Sequence, residues 1–169
     1  MLHEINWPSK YLPGTTDNFV SNEIIVSGTS VKEVWNNLVD TSKWGNYFNG
    51  VNNITVGNQG STSFTHGVNF HFEKFGFPID GQIMELIEPI DNKFAQIAWH
   101  GWQEVDGKIS LEGYQVFTID SYTDSLVRII TKESQLGEAA AEMSEQSPNP
   151  MLNGHQEWLD SLAQASKND

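Results

Sequence analysis

Glu133 is the side chain of this sequence best placed to do chemistry. In the run 125–135, Val127, Ile129, Thr131 and Glu133 alternate with Arg128, Ile130 and Lys132. A strand there turns Glu133 toward the apolar side and Arg128 toward solvent. A carboxylate on a concave apolar face suits a general acid, a general base or an orienting hydrogen bond to a ligand. A place near the strand end equally fits a solvated rim position. His155 falls with Met151, Trp158, Leu159 and Leu162 on one face of a helical pattern. There it either meets a ligand or is a hydrogen-bonded core histidine. Ile97 and Trp99 share one face of the run 93–102, and His100 and Trp102 share the other. A bulge at Gly101 would turn one of these groups inward, and one of the two tryptophans is expected to line the interior. Phe70, Phe72, Phe75 and Phe77 cluster with Pro78 either as a strand edge and lid or as plain core.

Other chemistries lose support. His66 and His71 are five apart, on opposite faces of a strand, and no His-Glu-x-x-His spacing occurs, so no metal is expected. There is no Gly-x-Ser-x-Gly elbow, no phosphate-binding Gly-rich loop ending in Gly-Lys-Ser/Thr and no Gly-x-Gly-x-x-Gly after a strand, and no cofactor is expected.

Composition narrows the partners. The 169 residues, 38% hydrophobic with six Trp and nine Phe, suit one folded domain with one core. Twenty-two acidic against nine basic side chains give a formal charge of -13, and Arg128 is the only arginine. Nucleic acid needs clustered cations to release counterions, and the eight lysines here are scattered singly, so neither nucleic acid nor an anionic membrane surface is an expected partner. The absence of cysteine removes disulfides and thiolate chemistry and fits a reducing compartment. No secretory h-region stands in residues 1–14 and no apolar run reaches the roughly 20 residues of a membrane span. The expected location is cytoplasmic, without membrane insertion.

The elements that must position these residues follow from periodicity. Residues 1–18 read as an irregular arm anchored by Trp7 and Tyr11, and residues 19–169 as a single domain. A strand over 19–26 ends at Gly28. A capping box Ser30 to Glu33 starts a short helix through Val31, Val34, Trp35, Leu38 and Val39. Asp40 or Thr41 caps a second short helix carrying Trp44, Tyr47 and Phe48. Turn signals at 57–60, 91–92, 106–107 and 123–124 then separate strands near Ile54 and over 61–75, 79–88, 93–102, 108–119 and 125–135. In 108–119, Ile109, Leu111, Gly113, Gln115, Phe117 and Ile119 share the inward face. After a helical turn at 138–143, Asn149 caps and Pro150 opens a last helix over 150–166, in which Gly154 marks a close contact. The fold class is α+β: a curved antiparallel sheet of about seven strands wrapped around a long C-terminal helix, with two short helices after the first strand.

With these residues in hand, the chain resembles the helix-grip SRPBCC superfamily of START domains, Bet v 1-like proteins and polyketide cyclases. The resemblance rests on the Val-x-x-x-Leu helix, the Trp44-x-x-Tyr47 step, Ile97-Ala98-Trp99 and Trp158-Leu159-x-x-Leu162. More narrowly, Pro13 to Asn18 and Asn149 to Gln156 look like a bacterial branch of cyclase/dehydrase-like proteins. It implies a deep cavity between sheet and last helix that relatives use for lipids, polyketides or hormones. It also implies ionisable cavity residues in the relatives that cyclise polyketides, for which Glu133, His66 and His155 are the candidates here.

Three functions follow as expectations. The first is binding of a small apolar or amphipathic ligand, lipid- or polyketide-like, lined by Trp44, Tyr47, Phe64, His66, Phe72, Ile97, Trp99, Phe117, Ile129, Glu133, His155 and Trp158. The second is a cyclase or dehydratase in which Glu133, with His66 or His155, moves protons on a bound carbonyl compound. The third is an interaction module resembling the helix-grip activators of chaperone ATPases.

Overall fold

The computed structural model describes residues 4–58 and 60–167; the expected turn residue Gln59 and the arm residues 1–3 lie outside the described residues. Seven antiparallel strands form one sheet: β1 (Asn18–Ser27), β2 (Val51–Val56), β3 (Asn69–Lys74), β4 (Phe77–Ile90), β5 (Phe94–Val105), β6 (Lys108–Thr123) and β7 (Leu126–Leu136). Their order is β1-β7-β6-β5-β4-β3-β2, so the two strands nearest the N-terminus form the two edges. Helices α1 (Val31–Val39), α2 (Glu138–Glu145) and α3 (Pro150–Ser166) complete the chain, with a 3-10 helix at Thr41–Asn46. Among the described residues no helix is long and apolar enough to cross a membrane.

Local chemistry sets these boundaries. Ser30 Oγ accepts from the Glu33 amide at 3.2 Å and starts α1, while the Glu33 carboxylate accepts from Thr29. Asp40 caps the 3-10 helix through the Ser42 amide at 3.1 Å. Asn149 Oδ1 accepts from the Met151 amide at 3.0 Å, and Pro150 occupies the first turn of α3. The Trp158 face of α3 lies against the sheet, where Phe117 and Trp99 stand 5.0 and 6.2 Å from the Trp158 ring.

Two sequence expectations are corrected. The run 61–75 is not one strand: residues 61–68 cross irregularly, with single bridges at Ser61 and Ser63, and β3 begins only at Asn69. Thr65, His66, Gly67 and Asn69 are exposed, so no apolar face holds the earlier part in register. Gly101 is not a bulge, since it pairs regularly with Gly81 on one side and Gly113 on the other; the irregularity of β5 falls at Gln103/Glu104.

The arm packs on the outer face of the sheet. Trp7 and Tyr11 lie against Tyr114, with ring centroids 5.7 and 6.2 Å apart. The Tyr11 hydroxyl donates to Glu112 at 2.9 Å and lies 2.8 Å from His100 Nε2. Burial and the Glu112 carboxylate push that hydroxyl above the usual tyrosine range, so it remains a donor. Arg128, expected in solvent, is half-covered there by a bond to Asp120 at 3.0 Å.

Candidate functional site

Period two in the adjacent strands β6 and β7, and in β3, which β5 and β4 separate from β6, brings a polar group together inside the curved sheet. Lys74 follows Phe70 and Phe72 on the inward face of β3, Gln115 lies between Gly113 and Phe117 on β6, and Glu133 and Gln135 follow Thr131 on β7. The Lys74 ammonium donates to Glu133 Oε1 at 2.5 Å and to Gln115 Oε1 at 2.7 Å. Gln135 Nε2 donates to the other Glu133 oxygen. From α3, His155 Nε2 comes within 4.0 Å of Glu133 Oε1 and 3.5 Å of Gln115 Nε2. The Trp158 ring lies 6.0 Å from the ammonium. Lys74 and Glu133 are 6% and 5% exposed, so this is a buried charge pair with its remaining polar atoms largely satisfied.

The network continues to the helix cap. Gln135 Oε1 accepts from Asn18 Nδ2 at 2.9 Å, and Asn18 Oδ1 accepts from Asn149 Nδ2 at 2.7 Å. Asn149 is the residue that caps α3.

Burial pushes the Lys74 ammonium below the usual lysine range, against the opposite pull of Glu133. Burial, reinforced by the nearby Lys74 charge, holds His155 well below the histidine range, so its ring is neutral at pH 7. His155 Nδ1 is buried without a hydrogen-bond partner among the described residues. Around the cluster lies a cavity of about 30 Å³, lined by Lys74, Glu133, Gln115, Gln135, Phe72 and Trp99, with Phe77 and Met151 also in its wall. This space is also lined by Gly101 and Gly113, which pair on adjacent strands. It has room for a water molecule or two. Outside Phe77 and Met151 an apolar groove of about 290 Å³ runs along Phe75, Ala139, Met143 and Pro150.

A hypothetical protein of Helicobacter pylori, solved crystallographically, is similar to this chain at 39% sequence identity, over 99% of this chain and 98% of that one, with a TM-score of 0.91. A START superfamily protein of Mycobacterium smegmatis aligns at 15% identity over 87% and 92% of the two chains, with a TM-score of 0.52. The chain is of one family with that Helicobacter protein. It has the helix-grip fold. A Thalictrum flavum norcoclaurine synthase mutant, solved in complex with a transition-state analogue, shares the helix-grip fold at 7% identity over 87% and 92% of the chains, with a TM-score of 0.59. No family model and no curated protein matches the sequence.

This helix-grip interior differs from the deep cavity that the resemblance implies, because aromatic side chains fill it. Trp44, Phe64, Phe72, Trp99, Phe117 and Trp158 form a connected set with ring centroids 5.0–6.2 Å apart between neighbours. Of the residues expected from the sequence to line a ligand, Phe72, Trp99 and Glu133 reach the cavity. Trp44, Phe64, Ile97, Phe117, Ile129 and Trp158 are packed behind it. His155 is fully buried beside Glu133. Tyr47 is half-buried elsewhere, donating to the Asn37 carbonyl at 2.9 Å. His66 is exposed in a turn, because the strand that would have turned it inward has not yet begun. Lys74, Gln115, Gln135, Met151 and Phe77 complete the site; alternation from Phe72 and Glu133 is the signal in the sequence for Lys74 and Gln135. Among the described residues no three His, Asp or Glu side chains converge closely enough to hold a metal ion.

Proposed function

We propose that this protein binds a small amphipathic molecule at the end of the sheet covered by α2 and the first turn of α3. The apolar part lies in the groove along Phe75, Ala139 and Met143, and the polar end passes Phe77 and Met151 to reach Lys74, Gln115 and Glu133. One observation carries this reading: the apolar groove and the polar cavity share Phe77 and Met151 as a common wall. Both are single unbranched or planar side chains, and methionine in particular repacks at low cost. Displacing them joins about 290 Å³ of apolar space to the buried pair. A pocket of that kind, mostly apolar with a few convergent polar groups, is the common form of a small-molecule site.

The test is a titration with straight-chain alcohols, read by tryptophan fluorescence, since Trp99 lines the cavity and Trp158 stands beside Lys74. Saturable binding that strengthens with chain length is expected, and it should be lost in Ala139→Trp, which fills the groove. Binding that Ala139→Trp leaves unchanged would place the ligand elsewhere.

The acid–base reading keeps one specific support. His155 Nε2 stands 4.0 Å from Glu133 Oε1, so two side chains of the kinds used in general acid–base catalysis lie side by side.

A further inference from the structure

We propose that Lys74 is a nucleophilic amine that condenses with the carbonyl carbon of a small amphipathic aldehyde or ketone to form an imine. The inference rests on the binding reading above and names the chemistry at the polar end of that ligand.

Three features of the site fit this step. First, Lys74 is the only buried lysine of the eight: Lys10, Lys32, Lys93, Lys108 and Lys167 are exposed, and Lys43 and Lys132 are half-exposed. A desolvated amine in an apolar wall is the usual arrangement of a lysine that attacks carbonyl groups. Second, a carboxylate is bonded directly to the amine, Glu133 Oε1 at 2.5 Å, so the proton to be removed already has an acceptor. Third, the cavity that Lys74 lines, about 30 Å³, is sized for a carbonyl group rather than a chain. The chain would remain in the groove beyond Met151.

The step balances without any oxidant or reductant. The ammonium proton passes to Glu133, the free amine attacks the carbonyl carbon, and the carbonyl π pair moves to oxygen, which takes that proton. The carbinolamine then loses its N–H proton to the Glu133 carboxylate. Glu133 returns the proton to the hydroxyl group, which leaves as water as the C=N bond forms. The charged and polar groups that face the amine are Glu133 on β7, Gln115 on β6 and His155 on α3. Burial pushes the amine below the usual lysine range, which raises the fraction available for attack at neutral pH.

The experiment uses the native protein with hexanal and cyanoborohydride at about pH 6, where exposed lysines are protonated. Mass-spectrometric peptide mapping then gives the alkylation rate at each lysine, and 1-hexanol titration reports binding without a carbonyl. The expected result is alkylation of Lys74 at least about tenfold faster than at the seven other lysines, with protection by 1-hexanol. Glu133→Gln is expected to slow that alkylation about a hundredfold while 1-hexanol still binds. If 1-hexanol binds and Lys74 is alkylated no faster than the others, the imine inference is overturned and the binding reading stands. If neither compound binds and Lys74 is not preferred, both are overturned. Should Glu133→Gln fail to fold, the wild-type rates alone decide.

Discussion

Lys74 and Glu133 are stabilising only as a pair. Each has lost its water, so removing one leaves the other charged, buried and uncompensated. Lys74→Met alone is expected to cost about 3–5 kcal/mol in urea unfolding, and adding Glu133→Gln should recover most of that loss. A double variant no more stable than the single one would mean that the pair is not the unit. His155 makes a separate prediction. Its folded-state affinity for protons is depressed, first by burial and then by Lys74, so below about pH 6.5 the unfolded chain binds the proton that the folded one refuses. Stability should therefore be level above that pH and fall beneath it by up to about 1.4 kcal/mol per pH unit, and His155→Gln should remove this part of the slope. Glu133 is legible in the sequence because alternation with Val127, Ile129 and Thr131 is unbroken. Lys74 carries the same signal after Phe70 and Phe72. Yet a lysine is placed outward by default, and only the acceptor facing it, from a strand 59 residues on, makes its burial tolerable.

At the scale of elements, α3 meets the β3–β4 turn through one unusual contact. Phe75, at φ 51°, lays its ring over Gly154, where a Cβ would come within 2.6 Å of the ring tip. The sequence marks Gly154 as a close approach, because glycine inside a helix costs about 1 kcal/mol relative to alanine, but it does not say which element approaches. The partner lies on another part of the chain, in the aromatic run read as lid or core. Gly154→Ala is expected to be near neutral for stability, since helix propensity is offset by the displaced ring. In a Phe75→Ala background the same change should stabilise by about 1 kcal/mol. Equal effects in both backgrounds would show that the ring yields freely. The strand boundaries were legible wherever one face is buried. They failed at 61–68, where exposed polar residues and two single bridges give no periodic pattern to read.

Across the whole molecule, the architecture was legible and its contents were not. Element order and alternation identify a sheet gripping a helix, whereas whether the grip encloses a void depends on side-chain volumes meeting in three dimensions. Here Trp158, fully buried, fills the centre with Trp44, Trp99 and Phe117 around it. Trp158→Ala is expected to cost about 3–5 kcal/mol and to leave an apolar hole that indole refills, raising the urea midpoint when added. No rescue by indole would mean that the aromatic set collapses inward. The polar chain from Lys74 through Glu133, Gln135 and Asn18 to Asn149 has a further consequence. It ties the charge state of the interior to the anchorage of the helix that closes it. A ligand that changes the bonding of Lys74 is expected to change the stability of the first turn of α3, and by thermodynamic reciprocity a change in that turn alters occupancy at Lys74 by the same factor. Fraying of that helix end, seen as amide exchange over residues 151–155, would then be a gauge of what the interior holds.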